Sequence, residues 1–498
     1  MTAMPVESQS TPGRGERSVD LNRVIGWINV ILAVVTVSVY ASIGANAYLD
    51  YESIVLSTLL AAQVQGALWM ERRRRNPFVL LVCFILVTYY FVRILTLLLV
   101  PFSFVLDRFE YLPADSNRAL LFMLAANVAL FTGLFLRRMP VHDAEAAGRW
   151  SARAPGRAVF IVVMAMLVIY TRGALWSADS LPRALYFMLM FFAQAFIFLM
   201  SLTYFLVFRT SLSWQVRASL IVLLVVEMGL HTLAGSRSAI VGVLQNILIV
   251  LLAFSGSIRI PRRGLVLGVL AAPFVIVILV GTFVLSTYTR TVTPSGGSAV
   301  ATALDAVQTA GERMTVENVL ESGLPVLLSR VGFFDYAAEV MAHREQYSRV
   351  VNPGAYVRSI TDNLLTPGFD FFDQPKISNS LRFVYEDLGQ PSKIVSAEEY
   401  QSDQLGLYGE LFLLLGWASL PLFFIVGTLS QRIYCAIVDE DPFTRTIKRV
   451  IVITLFVELV NSFGMDWVVM DIVPFVVSMY LYRYFFSTRV ATSSVALG

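Results

Sequence analysis

Long apolar runs alternate with short polar segments along most of the chain. A helix needs about 20 apolar residues to cross a bilayer core of roughly 30 Å. Runs of this kind predict twelve transmembrane helices. They cover residues 23–46, 53–70, 77–105, 119–136, 158–175, 184–208, 218–234, 238–254, 264–287, 405–430, 449–464 and 467–486. The pattern therefore predicts an all-α polytopic membrane protein.

The positive charges indicate which ends of these helices face the cytoplasm, because Lys and Arg are concentrated in cytoplasmic loops. With the N-terminus inside, the predicted cytoplasmic segments contain 23 Lys and Arg, against five in the short outer loops. Both termini are therefore expected in the cytoplasm.

This topology divides the chain into five regions. The polar residues 1–22 are expected to form a disordered cytoplasmic tail, and residues 487–498 form a second cytoplasmic tail. Helices one to nine occupy residues 23–287, and helices ten to twelve occupy residues 405–486. Between them lies a long outer loop, residues 288–404.

The outer loop is the longest polar stretch of the chain, with nine Lys and Arg and fifteen Asp and Glu. Apolar residues recur at helical spacing from Ala303 to Arg349, whereas residues 366–404 are rich in turn formers and aromatics. The pattern predicts helices followed by an ordered, irregular lid. A connection of this length is usually functional.

Composition agrees with a membrane protein and excludes several other classes. The chain is 57% hydrophobic and only 15% charged, with a mean hydropathy of +0.69, which is too apolar for an aqueous core. The net charge of +3 gives no indication of a nucleic-acid partner. The two cysteines and the absence of phosphate-loop or metal-ligand motifs indicate neither a metal nor a cofactor.

Four ionisable residues fall within predicted spans: Arg93, Glu227, His231 and Glu458. Placing a charge at bilayer depth costs on the order of 3 kcal/mol, so such a residue is expected to have a partner or a function. Glu227 and His231 share a helix face. They are expected to pair with one another, or with Arg93, and so hold the bundle together. The alternatives are a polar cavity open to the outside and a proton path, and the shortage of further acidic residues weighs against the latter.

Arg237 lies in "HTLAGSRSAIVGVL", on the predicted outer side of the membrane, where Lys and Arg are scarce. Gly235 lets the backbone approach closely, and Ser236 or Ser238 is placed to cap the helix that follows. A helix N-terminus beside a guanidinium can bind an anion, and phosphate fits best. The alternative is that Arg237 simply extends to the lipid headgroups.

Two further groups of polar residues lie on the outer side. Four loop arginines could complete a phosphate site, or could pair with the carboxylates of the loop itself: Arg290, Arg330, Arg358 and Arg382. Where the loop meets the tenth span, hydrogen-bonding groups gather at Asp403, Tyr408 and Glu410. Gly416, within that span, is expected to allow close helix packing.

Three features together resemble the bacterial O-antigen polymerases, also called oligosaccharide repeat-unit polymerases. They are "GSRS" at the start of a mid-chain span, the large late outer loop, and "SDQLGLYGELFLLLGWASLPLFF" directly after it. The resemblance covers roughly residues 218–430. It implies a metal-independent membrane glycosyltransferase, acting at the outer, periplasmic face of the bacterial cytoplasmic membrane.

The resemblance also implies the substrate and the partners. The enzyme would transfer a glycan from one undecaprenyl-diphosphate carrier to a repeat unit held by another, within the membrane lipid and with a chain-length regulator protein as an expected partner. Related O-antigen ligases carry a histidine and an asparagine just before the corresponding span, where this chain has "QSDQ". A ligase-like transferase and a non-enzymatic polysaccharide transporter remain the alternatives.

This chemistry assigns roles to the outer residues, because a departing diphosphate needs fixed positive charge. Arg237 and Arg330 are predicted to clamp the donor diphosphate. Asp403 or Glu410 is predicted to activate the acceptor hydroxyl. The remaining predicted substrate-binding residues are Arg290, Arg358, Arg382 and Tyr408.

Overall fold

The structure is a computed structural model. It describes residues 18–99, 111–137, 139, 150–171, 197–233, 239–256, 258–268, 270–271, 308, 333–365, 371–372, 377, 405–439, 441–461, 468, 472, 475–476, 479–480, 484 and 487–489.

The described chain is mostly helical. The long helices in its first half are α1 (Leu21–Ile43), α2 (Tyr51–Arg74), α3 (Pro77–Leu99), α4 (Pro113–Leu134), α5 (Ala154–Thr171), α6 (Ile197–Phe208), α7 (Trp214–Leu233) and α8 (Ala239–Ser255). The second half contributes α9 (Phe333–Ala342), α10 (Arg344–Val350), α11 (Pro353–Leu365), α12 (Gly406–Cys435) and α13 (Pro442–Asn461).

Among the described residues, five helices are long and apolar enough to cross a membrane: α1, α2, α3, α4 and α12. On α1, the side chains of Trp27, Ile31 and Val34 are at least half exposed, which suits lipid rather than water. These helices are consistent with a helical membrane protein. Described helices lie within the predicted spans one to eight, ten and eleven. Residues 100–105 of the third span, 172–175 of the fifth, 184–196 of the sixth, the ninth span beyond residue 271 and most of the twelfth lie outside the described residues.

Local sequence signals explain where α2 and α3 begin and end. Asp50 caps α2 by accepting from the Ser53 backbone N–H at 2.9 Å, and the Ser53 hydroxyl accepts from the Asp50 N–H in return. The arginines in the last turn of α2 complement its dipole, and Arg75 ends the helix at φ 50°. Asn76 then caps α3, whose first residue is Pro77.

Helix α3 is not a regular α-helix throughout. Residues Leu86–Phe91 form a π-helical turn between two α-helical segments. The turn is packed on all sides, with Tyr90 only 1% exposed, and Arg93 follows it directly. Such turns often occur at functional sites, because they redirect the side chains that come after them.

The closest helix packing joins α4 to the second half of α12, Leu420–Cys435. A Cβ atom added at Gly133 would lie only 2.4 Å from the carbonyl oxygen of Phe424, and one at Gly427 only 2.5 Å from that of Leu130. Both positions therefore require glycine, because the two backbones touch there. Above this contact, Phe122 packs edge-on against Phe412, with ring centroids 5.0 Å apart.

The tenth predicted span is interrupted near its middle. Gly416 adopts φ 59° and ends the first segment of α12, and a short 3-10 turn, Gly416–Ser419, leads into the second. A side chain other than glycine rarely adopts this conformation. The reason for Gly416 is therefore mainly conformational, rather than the close helix packing expected from the sequence.

Two short antiparallel strand pairs lie at the ends of the helices. Strand β1 (Ser18–Asp20) pairs with β3 (Arg259–Pro261), and β2 (Trp150–Ala152) pairs with β4 (Ser487–Arg489). Residues 18–20, expected in a disordered tail, are therefore ordered. Each pairing joins two segments that the charge distribution assigns to the cytoplasmic side.

The contact between α4 and α12 generates a stability prediction. Gly133→Ala should lower the free energy of unfolding by about 1–3 kcal/mol, because the new methyl group would clash with backbone atoms of α12. Thermal unfolding of the purified protein in detergent would measure the loss.

Gly66→Ala is the matched control, because Gly66 lies within α2 and has no atom within 4 Å of the added Cβ. This control should be neutral or slightly stabilising, since alanine favours a helix by about 1 kcal/mol over glycine. Equal unfolding midpoints for the two variants would contradict the close contact.

Candidate functional site

Helix α9, from the predicted outer loop, packs directly against the membrane helices. It contacts α3, α4 and the first segment of α12. Phe334 and Ala338 are fully buried on this helix, and so are the carboxylates Asp335 and Glu339. A loop helix that buries two acidic side chains among apolar spans needs partners for them.

Arg93 of α3 is the main partner of Asp335. The Arg93 Nε donates to Asp335 Oδ2 at 2.6 Å, and both side chains are 1% exposed. The Tyr111 hydroxyl donates to the other carboxylate oxygen, Oδ1, also at 2.6 Å. This Arg93–Asp335–Tyr111 cluster joins α3, the turn before α4, and α9 of the predicted outer loop.

Burial and charge act in opposite directions within this cluster. Burial raises the pKa of the Asp335 carboxyl, while the Arg93 guanidinium and the Tyr111 hydroxyl counteract that rise. Burial and the adjacent carboxylate raise the pKa of Tyr111 well above its ordinary value, so the phenol keeps its proton and remains a donor. Arg93 Nη2 is buried without a hydrogen-bond partner among the described residues. The cluster is therefore suited to anchoring the loop.

A second set of contacts fixes the turns around this anchor. Tyr48 packs edge-on against Tyr111, with ring centroids 5.0 Å apart, and Ser116 Oγ donates to the Tyr48 carbonyl at 2.7 Å. Asn46 Nδ2 donates to the Leu97 carbonyl at 2.9 Å. The turn between α1 and α2 is thus tied to the end of α3 and the start of α4.

Tyr408 lies inside the bundle, not on its surface. It is fully buried in the first segment of α12, and its hydroxyl donates to Asn127 Oδ1 on α4. Its ring stacks on Phe423 with centroids 5.5 Å apart and meets Tyr90 of α3 edge-on at 5.7 Å. In this arrangement Tyr408 holds α12 against α4.

Helix α10 brings another arginine to the end of the first segment of α12, next to the break at Gly416. Arg344 Nε donates to the Leu413 carbonyl at 3.2 Å, and its guanidinium carbon lies 5.6 Å from the centre of the Phe412 ring. A cavity of about 340 Å³ opens between α10 and α12 at this point. Both loop helices, α9 and α10, therefore contact the first segment of α12.

The structure describes three of the eight predicted site residues. Glu410 is 4% exposed within the first segment of α12, Tyr408 is buried as described above, and Arg358 is exposed on α11. The other five lie outside the described residues: Arg237, Arg290, Arg330, Arg382 and Asp403. The diphosphate site formed by Arg237 and Arg330 thus stays a prediction.

Of the two expected arrangements, the pairing of Arg93 with Glu227 or His231 is wrong, and the pairing of Glu227 with His231 stays a prediction. Arg93 pairs instead with Asp335, a residue 242 positions further along the chain. The physical reason is that α9 enters the bundle beside α3 and brings a carboxylate within hydrogen-bonding distance. Glu227 is 5% exposed on α7, and the His231 side chain lies outside the described part.

Sequence reasoning missed Asp335, Tyr111 and Arg344. The segment "FFDYAAEVMA" carried a usable signal for Asp335, because two carboxylates four residues apart interrupt an otherwise apolar helix. Tyr111 and Arg344 had no comparable signal. Within the described ranges, no group of three His, Cys, Asp or Glu side chains could hold a metal ion.

Comparison of the chain with protein-family models, with curated proteins and with solved structures finds no match in any of the three. The structure itself must therefore carry the functional argument, together with the sequence motifs.

The buried anchor generates a second prediction. Arg93→Met should lower the free energy of unfolding by about 3–5 kcal/mol, because the Asp335 charge would remain buried without its partner. The double variant Arg93→Met/Asp335→Asn removes both charges and should recover part of this loss. Thermal unfolding in detergent would measure the double variant and the two single variants, Arg93→Met and Asp335→Asn.

Arg118→Met is the control, because Arg118 pairs with Asp115 at 3.6 Å on the surface and is 66% exposed. Exposed pairs of this kind contribute less than about 1 kcal/mol. If the double variant were as unstable as the sum of its two single variants, the ion pair would not be the source of the effect.

Proposed function

We propose that the protein is a metal-independent membrane glycosyltransferase that joins oligosaccharide repeat units carried on undecaprenyl diphosphate. In this proposal, the reaction takes place at the outer face of the bacterial cytoplasmic membrane. The observation that carries the proposal is the anchoring of α9 on the membrane helices through Arg93, Asp335 and Tyr111.

This anchoring suits a reaction between two lipid-linked substrates. Both carriers keep their diphosphates at the membrane boundary, so the reacting groups must meet there. A loop fixed to the ends of the spans would cover that boundary and exclude water, which strengthens the effect of positive charge on the departing diphosphate. A freely moving loop would not provide such a site.

The distribution of contacts supports the sidedness of the proposal. The strand pairs β1–β3 and β2–β4 join segments that are all predicted to be cytoplasmic. Tyr48, Tyr111, Ser116 and Asp335, which contact one another through the anchor, all come from segments predicted to be outside. Segments assigned to the same face therefore lie together.

The chemistry proposed for the site uses arginine and carboxylate side chains. Arg237 and Arg330 would hold the donor diphosphate as its bond to the sugar breaks, with Arg290, Arg358 and Arg382 assisting. Asp403 would accept the proton of the attacking hydroxyl. Glu410 is the less favoured base, since it is buried within the first segment of α12.

The activity test is chain extension in the bacterium that contains this gene. Arg237→Ala or Arg330→Ala should shorten the surface glycan to single repeat units, because donor binding fails while the repeat unit is still made. Arg349→Ala is the control, since Arg349 is exposed on α10. Long glycans in both arginine variants would reject the proposed site.

A labelling experiment tests the membrane topology independently of activity. In a background without Cys83 and Cys435, Glu345→Cys should react with a maleimide that cannot cross the membrane in intact cells. Arg259→Cys should react only after the membrane is opened. Both positions are well exposed, with Glu345 at 87% and Arg259 at 66%, so lack of reaction would reflect sidedness. Labelling of Arg259→Cys in intact cells would invert the proposed orientation.

A further inference from the structure

The cavity between α10 and α12 combines polar and apolar walls. Arg344, Glu345, Ser348 and Asn352 line it from the loop side, and Leu413 and Leu414 line it from the membrane-helix side. Its volume of about 340 Å³ is at the lower end of the range for small-molecule sites. A cavity of this size accommodates a phosphate headgroup.

One nitrogen of the Arg344 guanidinium is hydrogen-bonded, and its two Nη groups are available as donors. Its Nε donates to the Leu413 carbonyl, and the guanidinium lies beside Gly416, where a Cβ would be at ordinary contact distance, 3.4 Å from Arg344 Cζ. Among the described residues, Arg344 Nη1 and Nη2 make no hydrogen bond. A guanidinium fixed by Nε and open at both Nη groups is suited to binding two oxygens of one anion.

The acidic neighbour of Arg344, Glu345, also lines the cavity, and the guanidinium of Arg349 partly offsets its charge. Glu345 is 87% exposed and lies 3.6 Å from Arg349 on the outer surface of α10. Asn352 uses its side-chain oxygen to cap α11, accepting from the Ala355 N–H at 3.0 Å. The Asn352 Nδ2 therefore remains a second donor on the wall of the cavity.

The surface beside the cavity is apolar. Leu415 is 44% exposed and Trp417 is 46% exposed, both on the broken part of α12. Tryptophan is enriched where membrane helices reach the interface, at the level of the lipid headgroups. The cavity therefore places fixed positive charge next to a surface that suits a hydrocarbon chain.

We propose that this cavity binds the phosphate headgroup of a lipid. The Arg344 guanidinium and the Asn352 amide bind the phosphate oxygens, and the hydrocarbon chain lies along Leu414 and Leu415. The phosphate belongs either to a phospholipid of the bilayer or to a prenyl-phosphate carrier. The proposal requires only that the chain lies in a bilayer, so it stands apart from the proposed glycosyl transfer.

Binding to the purified full chain in detergent tests this inference. The probes are phosphatidylglycerol, undecaprenyl phosphate, uncharged diacylglycerol and inorganic phosphate, with affinity measured by thermophoresis. Arg344→Gln should weaken binding of both phosphate lipids about tenfold, as expected for losing a hydrogen-bonded charge. Arg118→Gln, at an exposed arginine of α4 that does not line the cavity, should leave both affinities unchanged.

Ser348→Leu provides a second variant, because it fills the cavity without removing the bond between Arg344 and Leu413. It should weaken phosphate-lipid binding even where Arg344→Gln proves unstable. A preference for undecaprenyl phosphate over phosphatidylglycerol would assign the cavity to the carrier, and equal affinities would assign it to bilayer lipid. The proposal is overturned if Ser348→Leu binds as wild type does, or if diacylglycerol or inorganic phosphate binds as tightly as the phosphate lipids.

Discussion

The buried ion pair between Arg93 and Asp335 is the constraint on which the arrangement of loop and membrane helices depends. Taking either charge out of water alone would cost several kcal/mol, so each residue requires the other. The pair is 1% exposed on both sides and joins positions 242 residues apart. Because Tyr111 binds the second carboxylate oxygen, α9 is held against α3 and the start of α4 at the same time. The position of the following helix, α10, and of Arg344 at its start, follows from this anchor.

The membrane helices provide the matching surface through α4 and α12. Gly133 and Gly427 let the two backbones touch, and Tyr408 adds a buried hydrogen bond to Asn127 higher in the same interface. Gly416 then breaks α12, which leaves the Leu413 carbonyl free to accept from Arg344. Both segments of α12 therefore pack into the bundle, and the first segment also contacts the loop helices α9 and α10.

These contacts create a boundary where polar loop groups meet apolar helix surfaces. Such a boundary is suited to substrates that are themselves half polar and half apolar, as lipid-linked glycans and phospholipids are. Fixed guanidinium groups act most strongly where water is scarce. Anchoring a loop to the spans is a way to provide that environment without a metal ion, and it would serve the proposed transfer reaction.

The sequence by itself determined the class of protein, the position of most helices and the need for a partner at Arg93. Long apolar runs leave little choice other than membrane helices, and a charge within one must be neutralised. The sequence could not determine which residue would neutralise Arg93, because pairing across 242 positions depends on how α9 packs and not on local pattern. For the same reason, Gly133, Gly427 and Arg344 look like ordinary helix and loop residues in the sequence. Only the tertiary structure decided that two of them lie where backbones touch and that the third lines a cavity, because proximity between distant segments is a property of packing.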